Sequence, residues 1–206
     1  GQLHGKAETW YEDGTKAQEA QYINGVPEGK VSSWHRTGAK AQEAHYKNGK
    51  KDGASMAWDP NGEKLMASNF KAGELDGKWT VWHQSGGVAE EGSYQDGKQH
   101  GKWKNYYASG KLMTEIHYTK GAQNGKDTSW HENGKKKSEV VFKKGKQVGQ
   151  YRVWDKKGKK VDEGSSQSGD KNDFIKYDAK KIEAALKAGK ENVACWDKDG
   201  KKITCP

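Results

Sequence analysis

The sequence repeats at a fixed interval of 24 residues, and this period restricts the possible folds more than any other feature. Seven glycines, here called the anchor glycines, follow this interval without slippage: Gly5, Gly29, Gly53, Gly77, Gly101, Gly125 and Gly149. Such a period is typical of repeat proteins, in which one supersecondary unit cannot bury its apolar surface alone and therefore stacks on its neighbours. The fold and the function are thus to be sought in an array of seven units.

Two columns of aromatic residues keep the same period. The first column stands five residues after each anchor glycine: Trp10, Trp34, Trp58, Trp82, Tyr106, Trp130 and Trp154. The second column follows twelve residues later, with Ser166 in place of an aromatic in unit seven: Tyr22, Tyr46, Phe70, Tyr94, Tyr118 and Phe142. Apolar residues make up only 31% of the chain and charged residues 32%, which is too polar for a conventional two-layer core. We therefore expect the aromatic columns to form the core.

Each unit contains two short runs separated by glycine-rich turns, such as Asp13-Gly14 and Asp96-Gly97. Asp-Gly and Asn-Gly pairs supply the positive φ angles that tight hairpin turns require. A glycine every few residues disfavours a helix, because each costs about 1 kcal/mol relative to alanine. The spacing predicts an all-β fold: an elongated single-layer antiparallel sheet of about seven β-hairpin repeats, with about fourteen strands.

The pattern G-x-W-x-x-W/Y-x-x-x-G, followed by Y-x-x-G-x-x-x-G, resembles the MORN repeat in the variant common in bacterial proteins. The resemblance extends over residues 1–169 and implies a single-layer antiparallel sheet, often curled into a groove. It also implies a scaffold, a membrane-associated junction protein or an antitoxin component. Asp59-Pro60 in unit three and the lost second aromatic of unit seven depart from the pattern.

Residues 170–206 lose the period and are predicted to form a small C-terminal cap. An amphipathic helix is expected at 179–187, and a hairpin is expected to turn at Asp199-Gly200. Cys195 and Cys205 flank that hairpin and are predicted to form a disulfide, which indicates a periplasmic or extracellular protein, with a cytoplasmic location as the alternative. Because Gly1 falls inside a unit, we expect a further segment upstream.

No sequence pattern for catalysis, a cofactor or a metal ion emerges from the chain. Histidines follow the aromatic in alternate units at His35, His83 and His131, about 19 Å apart at ordinary strand spacing, too far to share a metal ion. They are predicted to be exposed polar residues at strand ends. A glutamate column is predicted to pair with nearby lysines, with Ala67 as its one gap: Glu19, Glu43, Glu91, Glu115, Glu139 and Glu163.

Two features are candidates for binding. Trp79 and Trp103 are extra tryptophans that occur in units four and five only. Residues 126–160 hold twelve Lys and Arg against four Asp and Glu, a surplus of +8 in a chain of net charge +9. The candidate basic residues lie mostly at turns: Lys135, Lys136, Lys137, Lys143, Lys144, Lys156, Lys157, Lys159 and Lys160. Such an asymmetric charge steers anionic partners to one end of the molecule.

These observations predict a non-catalytic, exported scaffold or binding module that engages a protein or an anionic envelope component, either a lipid headgroup or a polymer. Nucleic acid is disfavoured, since the basic end has few aromatics for base stacking. No apolar run approaches the roughly 20 residues of a transmembrane helix. The alternatives are an intracellular antitoxin-like or regulatory binding protein, and the accessory array of an enzyme whose catalytic domain lies elsewhere. The oligomeric state stays open.

Overall fold

The computed structural model describes residues 1–166, together with the backbone of 195–196 and 202–203. Residues 1–166 form one open antiparallel sheet of 17 strands, so the predicted all-β fold is confirmed. The first strands of the seven units are β1 (Gly5–Trp10), β4 (Gly29–Trp34), β6 (Lys50–Trp58), β8 (Glu74–Trp82), β10 (Lys98–Tyr106), β13 (Gly125–Trp130) and β16 (Gly149–Trp154). The second strands are β2 (Lys16–Ile23), β5 (Lys40–Lys47), β7 (Lys64–Lys71), β9 (Val88–Gln95), β11 (Leu112–Thr119), β14 (Lys136–Lys143) and β17 (Lys160–Ser166).

Three further strands have two residues each and directly precede β4, β13 and β16: β3 (Val26–Pro27), β12 (Ala122–Gln123) and β15 (Lys146–Gln147). A separate antiparallel pair joins β18 (Cys195–Trp196) to β19 (Lys202–Ile203), with Cys195 opposite Ile203. The predicted helix at 179–187, Cys205 and the boundary at residue 169 lie outside the described residues. No helix of the described part is long and apolar enough to cross a membrane.

The strands pair in chain order, and one row of directly opposed residues crosses the whole sheet. This glutamate row consists of Glu8, Glu19, Ser32, Glu43, Met56, Ala67, Thr80, Glu91, Lys104, Glu115, Thr128, Glu139, Arg152 and Glu163. Directly opposed residues share a face, and residues two apart along a strand do as well. One face, the lysine face, therefore carries the glutamate row and the first aromatic column. The other, the tyrosine face, carries the second aromatic column.

The two long edges of the sheet are formed by two kinds of turn. Turns inside a unit, such as residues 11–15, form the within-unit edge, and turns that join successive units form the between-unit edge. Each turn on the between-unit edge has two consecutive residues of positive φ, as in Asn24-Gly25 and Asn48-Gly49. The positive φ angles predicted at these hairpins are confirmed. Ala72, Lys120 and Lys144 adopt the same left-handed conformation, which side chains other than Asn and Asp rarely accept.

A single layer leaves little room for a buried interior, and the core is correspondingly thin. The buried apolar residues of the described part are Ala20, Ala44, Trp103 and Val140. Trp103 is the one large side chain among them, with 2% of its surface exposed, whereas Trp10 on the first strand is 56% exposed. The remaining aromatics of both columns are half-buried. Burial is thus concentrated around Trp103 in unit five.

Candidate binding surface

The lysine face carries an ordered lattice of ion pairs. In unit six the Glu139 carboxylate lies 2.7 Å from Lys126 Nζ and 2.6 Å from Lys136 Nζ. These hydrogen bonds, from Lys126 first and then Lys136, hold the pKa of Glu139 below its ordinary value. In unit one, Glu19 is paired in the same way with Lys16 at 2.6 Å and Lys6 at 3.3 Å. Units one, two and six therefore each hold one glutamate between two lysines of the unit.

The lysine of the second strand also lies over aromatic rings. Lys16 Nζ is 5.4 Å from the ring centre of Trp10 and 5.3 Å from that of Trp34, so one cation bridges two units. The equivalent lysines lie 5.6 to 5.8 Å from the ring of the next unit: Lys40 on Trp58, Lys64 on Trp82 and Lys136 on Trp154. A cation over a ring at this distance contributes about 0.5 to 1 kcal/mol at an exposed site. Five of the seven rings in the first aromatic column therefore have a lysine of the sheet over them.

The histidines that follow the first column have a structural role that their sequence positions did not reveal. His35 Nε2 lies 2.9 Å from the Trp58 carbonyl oxygen, and His83 and His131 repeat this contact with the next unit. A carbonyl can only accept, so Nε2 carries the proton. These histidines are half-buried rather than exposed, which corrects the sequence-based expectation. Tyr11 and Tyr107 donate the same type of hydrogen bond at 2.7 Å.

The between-unit edge has its own contacts from one unit to the next. The backbone N–H of Gly25 donates to the Leu3 carbonyl at 2.7 Å, and each later turn glycine repeats this bond 22 residues back. The carboxylate of Asp52 also accepts a hydrogen bond from the Ala72 N–H at 3.0 Å, and Glu28 does the same for Asn48. Both long edges are therefore stacks of turns in register.

An aromatic ladder crosses the tyrosine face in units four and five. Trp79, Tyr94, Trp103 and Tyr118 contact one another edge to face, with ring centres 5.5, 5.1 and 6.1 Å apart in that order. The Trp79 indole N–H donates to Glu90 at 2.7 Å, and the Trp103 indole N–H donates to the Ser93 carbonyl at 3.1 Å. The structure thus brings the two extra tryptophans into one cluster in which Trp79 is half-buried and Trp103 is buried. Their binding role stays a prediction.

Asp127 occupies the position in unit six that Trp79 and Trp103 take in units four and five. It is 9% exposed, and its Oδ1 accepts a hydrogen bond from the His117 N–H at 2.9 Å, where the ladder between β11 and β13 is interrupted. Its Oδ2 has no hydrogen-bond partner within residues 1–166. Burial raises the pKa of this carboxyl. The carboxylate therefore replaces a missing backbone acceptor.

The structure divides the nine candidate lysines between the two edges. Lys143 and Lys144 lie at the between-unit edge. The other seven are exposed and lie on the last two turns of the within-unit edge or at the start of the strands that follow them: Lys135, Lys136, Lys137, Lys156, Lys157, Lys159 and Lys160. Lys136 and Lys160 form ion pairs with Glu139 and Glu163 at 2.6 and 2.7 Å. The charge is therefore concentrated along one edge, and part of it is neutralised within the sheet.

The two lysine-bearing turns contact each other directly. Lys135 Nζ donates to the Lys157 carbonyl oxygen at 2.6 Å, and Asn133 donates to the Lys156 carbonyl at 2.6 Å. The acidic group of the last turn points inward, since Asp155 Oδ1 accepts hydrogen bonds from the backbone N–H groups of Lys157 and Lys159. These bonds lower the pKa of Asp155. The outer surface of this corner is consequently mostly lysine, with Glu132 as an exposed acidic residue in the first of the two turns.

The part of the chain that the structure describes contains no candidate metal-binding site. No group of three or more His, Cys, Asp or Glu there is arranged to hold an ion. The His35, His83 and His131 rings each contact a carbonyl of the next unit instead.

Comparison with known proteins gives a match to one family. The model of the MORN repeat variant matches residues 3–24, 27–48, 75–96, 99–120 and 123–144. These stretches correspond to units one, two, four, five and six, and leave out unit three, which contains Asp59-Pro60, and unit seven, which lacks the second aromatic. A search of the curated proteins gave no match.

Proposed function

Because the chain belongs to the MORN repeat variant family, whose repeats generally form non-catalytic β-scaffolds, we propose that it is an exported binding scaffold for an anionic component of the cell envelope. The binding surface is the basic corner, defined as the seven lysines of the last two within-unit turns and of the strand starts that follow them: Lys135, Lys136, Lys137, Lys156, Lys157, Lys159 and Lys160. The ligand carries phosphate or carboxylate groups on a lipid headgroup or a polymer.

The observation that carries this proposal is the stacking of two lysine-rich turns at one corner of the sheet. The hydrogen bond from Lys135 to the Lys157 carbonyl keeps the two turns adjacent, so their ammonium groups present one surface. Earlier turns on this edge differ in charge: unit one has Glu12 and Asp13, residues 84–87 carry no charge, and unit two carries Arg36 and Lys40. Only units six and seven place two lysine-rich turns next to each other. The lysines at this end of the edge therefore attract an anionic surface.

Export rests on the predicted pairing of Cys195 with Cys205, because disulfides persist mainly in oxidising compartments. A thiol assay on unfolded, unreduced protein tests this part of the proposal. We expect no free thiol, whereas two free thiols would favour an intracellular binding protein.

Binding to the basic corner is tested with vesicles of phosphatidylcholine with and without phosphatidylglycerol. The test variant changes Lys137, Lys157 and Lys159 together to glutamate. Since each lysine near an anionic membrane contributes about 1 kcal/mol, we expect the partition coefficient to fall about a hundredfold. Wild-type binding should also weaken as salt is raised, because the Debye length falls from about 10 Å at 0.1 M to about 3 Å at 1 M.

A matched control changes Lys47, Lys71 and Lys98 to glutamate. These lysines are equally exposed but lie at the between-unit edge of units two to five. The control should keep nearly all of the binding. Equal losses in the two variants would show that net charge alone drives binding, and would contradict a site at the basic corner. Soluble polyphosphate as a competitor then distinguishes a polymer ligand from a lipid surface.

A further inference from the structure

The glutamate row is interrupted in unit three, and this gap has no equivalent in the other units. Six units place a glutamate at the same point of the second strand, and unit three has Ala67 there. The first strand of unit three also has Ala54 where five other units have a lysine after the anchor glycine. Unit three therefore lacks both the carboxylate and one of its two lysines.

Lys64, the lysine that unit three retains, keeps the place that holds a carboxylate elsewhere. Lys64 lies three residues before Ala67, and its Nζ is 5.7 Å from the Trp82 ring centre. Lys40 has the same place in unit two, 5.6 Å from Trp58, and there it contacts the Glu43 carboxylate at 2.5 Å. Lys64 is thus positioned as a carboxylate partner, but Ala67 offers it none.

Lys78 lies on the other side of Ala67. It belongs to β8, two residues from Thr80, and Thr80 is directly opposite Ala67. Nine other lysines of this face form ion pairs with glutamate in the described part of the chain: Lys6, Lys16, Lys30, Lys40, Lys102, Lys104, Lys126, Lys136 and Lys160. Within residues 1–166, neither Lys64 nor Lys78 forms such a pair. The pKa of Glu91 is lowered by hydrogen bonds from Tyr106 and Lys104, and the charge of Lys78 adds to this effect. Two ammonium groups without an ion pair therefore flank the position where the carboxylate is missing, and Lys64 is the one with no glutamate of the row in its own unit.

A shallow depression of about 220 Å³ lies over the same position. Ala54, Met56 and Ala67 provide apolar lining, and Lys78 and Asn69 are at its border. Glu43 also lines it, but its carboxylate is already held by Lys40 and Lys30 at 2.5 and 3.3 Å. The depression therefore combines an apolar floor with the ammonium group of Lys78, which forms no ion pair within residues 1–166, while Lys64 lies outside its lining.

We propose that unit three binds a glutamate side chain of a partner protein in this depression. The methylene groups of the incoming glutamate lie against Met56 and Ala54, and its carboxylate lies between Lys64 and Lys78. The same lattice accommodates a glutamate from the chain itself in six other units, so the geometry selects this side chain. Charge-assisted hydrogen bonds to ammonium groups supply the attraction. This site lies on the lysine face and is independent of the basic corner.

The test uses Ala67→Glu, which fills the depression with a glutamate from the chain itself. The probe is an acetylated hexapeptide of alternating valine and glutamate, and binding is followed through the indole ¹⁵N–¹H signal of Trp82. In the wild type this signal should shift saturably. In Ala67→Glu, and in Lys64→Gln, the affinity for the peptide should fall about tenfold or more, because one charge-assisted pair is removed.

Lys16→Gln is the matched control, since Lys16 lies over tryptophan rings as Lys64 does, is already paired with Glu8 and Glu19, and does not line the depression. It should bind the peptide as the wild type does. The Trp154 indole reports on binding elsewhere, because Lys136 above it is paired with Glu139. A wild-type Trp82 signal that does not respond, or wild-type affinity in Ala67→Glu, would overturn the proposal. Vesicle binding by Ala67→Glu should remain unchanged. The peptide and vesicle experiments therefore test the unit-three site and the basic corner independently.

Discussion

Replacement of Trp103 by alanine is expected to lower the free energy of unfolding by about 3 to 5 kcal/mol, the usual cost of removing a buried tryptophan. Trp103 is the one large apolar side chain that is buried in the described part of the sheet. Its ring contacts Tyr94 and Tyr118, and its indole N–H satisfies the Ser93 carbonyl. Truncation removes these contacts at once and leaves that carbonyl without its partner.

Denaturant unfolding followed by circular dichroism measures this change. Trp10→Ala is the matched control, because Trp10 is 56% exposed on the first strand, and it should cost less than about 1 kcal/mol. A Trp103→Ala variant as stable as Trp10→Ala would show that the aromatic ladder contributes little to folding. The ladder would then become available to the ligand-binding role predicted for Trp79 and Trp103.

Replacement of Gly92 by alanine is expected to destabilise the protein by about 1 to 3 kcal/mol, the usual cost of overpacking. A β-carbon at this position would lie 2.3 Å from the Trp103 ring, so the ring or the strand has to move. Gly92 lies on β9 beside a break in the ladder to β10, between His100 and Lys104. The break and the missing side chain together create the space that the indole occupies.

Gly87→Ala is the control for Gly92→Ala, because a β-carbon at Gly87 meets no atom within 4 Å. It should leave stability nearly unchanged. In the double variant Gly92→Ala, Trp103→Ala, the clash disappears, so the combined cost should be clearly smaller than the sum of the two single costs. Additive costs would show that the two residues do not share a packing site.

The two proposed sites follow one physical rule. In a sheet built from nearly identical units, lysines of the sheet pair with the glutamates of the row, so a ligand is expected where a unit departs from the pattern. Unit three departs by losing Glu and Lys at Ala67 and Ala54. Units six and seven depart by adding lysine to the within-unit turns. The family match omits units three and seven, and both depart from the repeat pattern.

The sequence alone predicted the single-layer antiparallel sheet, the number of its main strands and the positive φ angles of the between-unit turns. It could do so because spacing and turn chemistry are local and repeat seven times. The gap at Ala67 was visible as a break in a column, although its neighbours in space were not. The sequence did not predict that the Trp103 ring packs on Gly92. A glycine within a strand does not by itself indicate which side chain lies over it.

Only the tertiary structure decided which residues of different units contact each other. The register of adjacent strands places Lys78 beside Ala67, separates Lys143 and Lys144 from the basic corner, and directs His35 to the Trp58 carbonyl. These contacts join residues eleven or more positions apart along the chain. A periodic sequence determines the structure of its repeating unit. The contacts of residues that depart from the repeat depend on the register in which neighbouring units pair. A shift of one residue in that register would move every side chain of a strand to the opposite face.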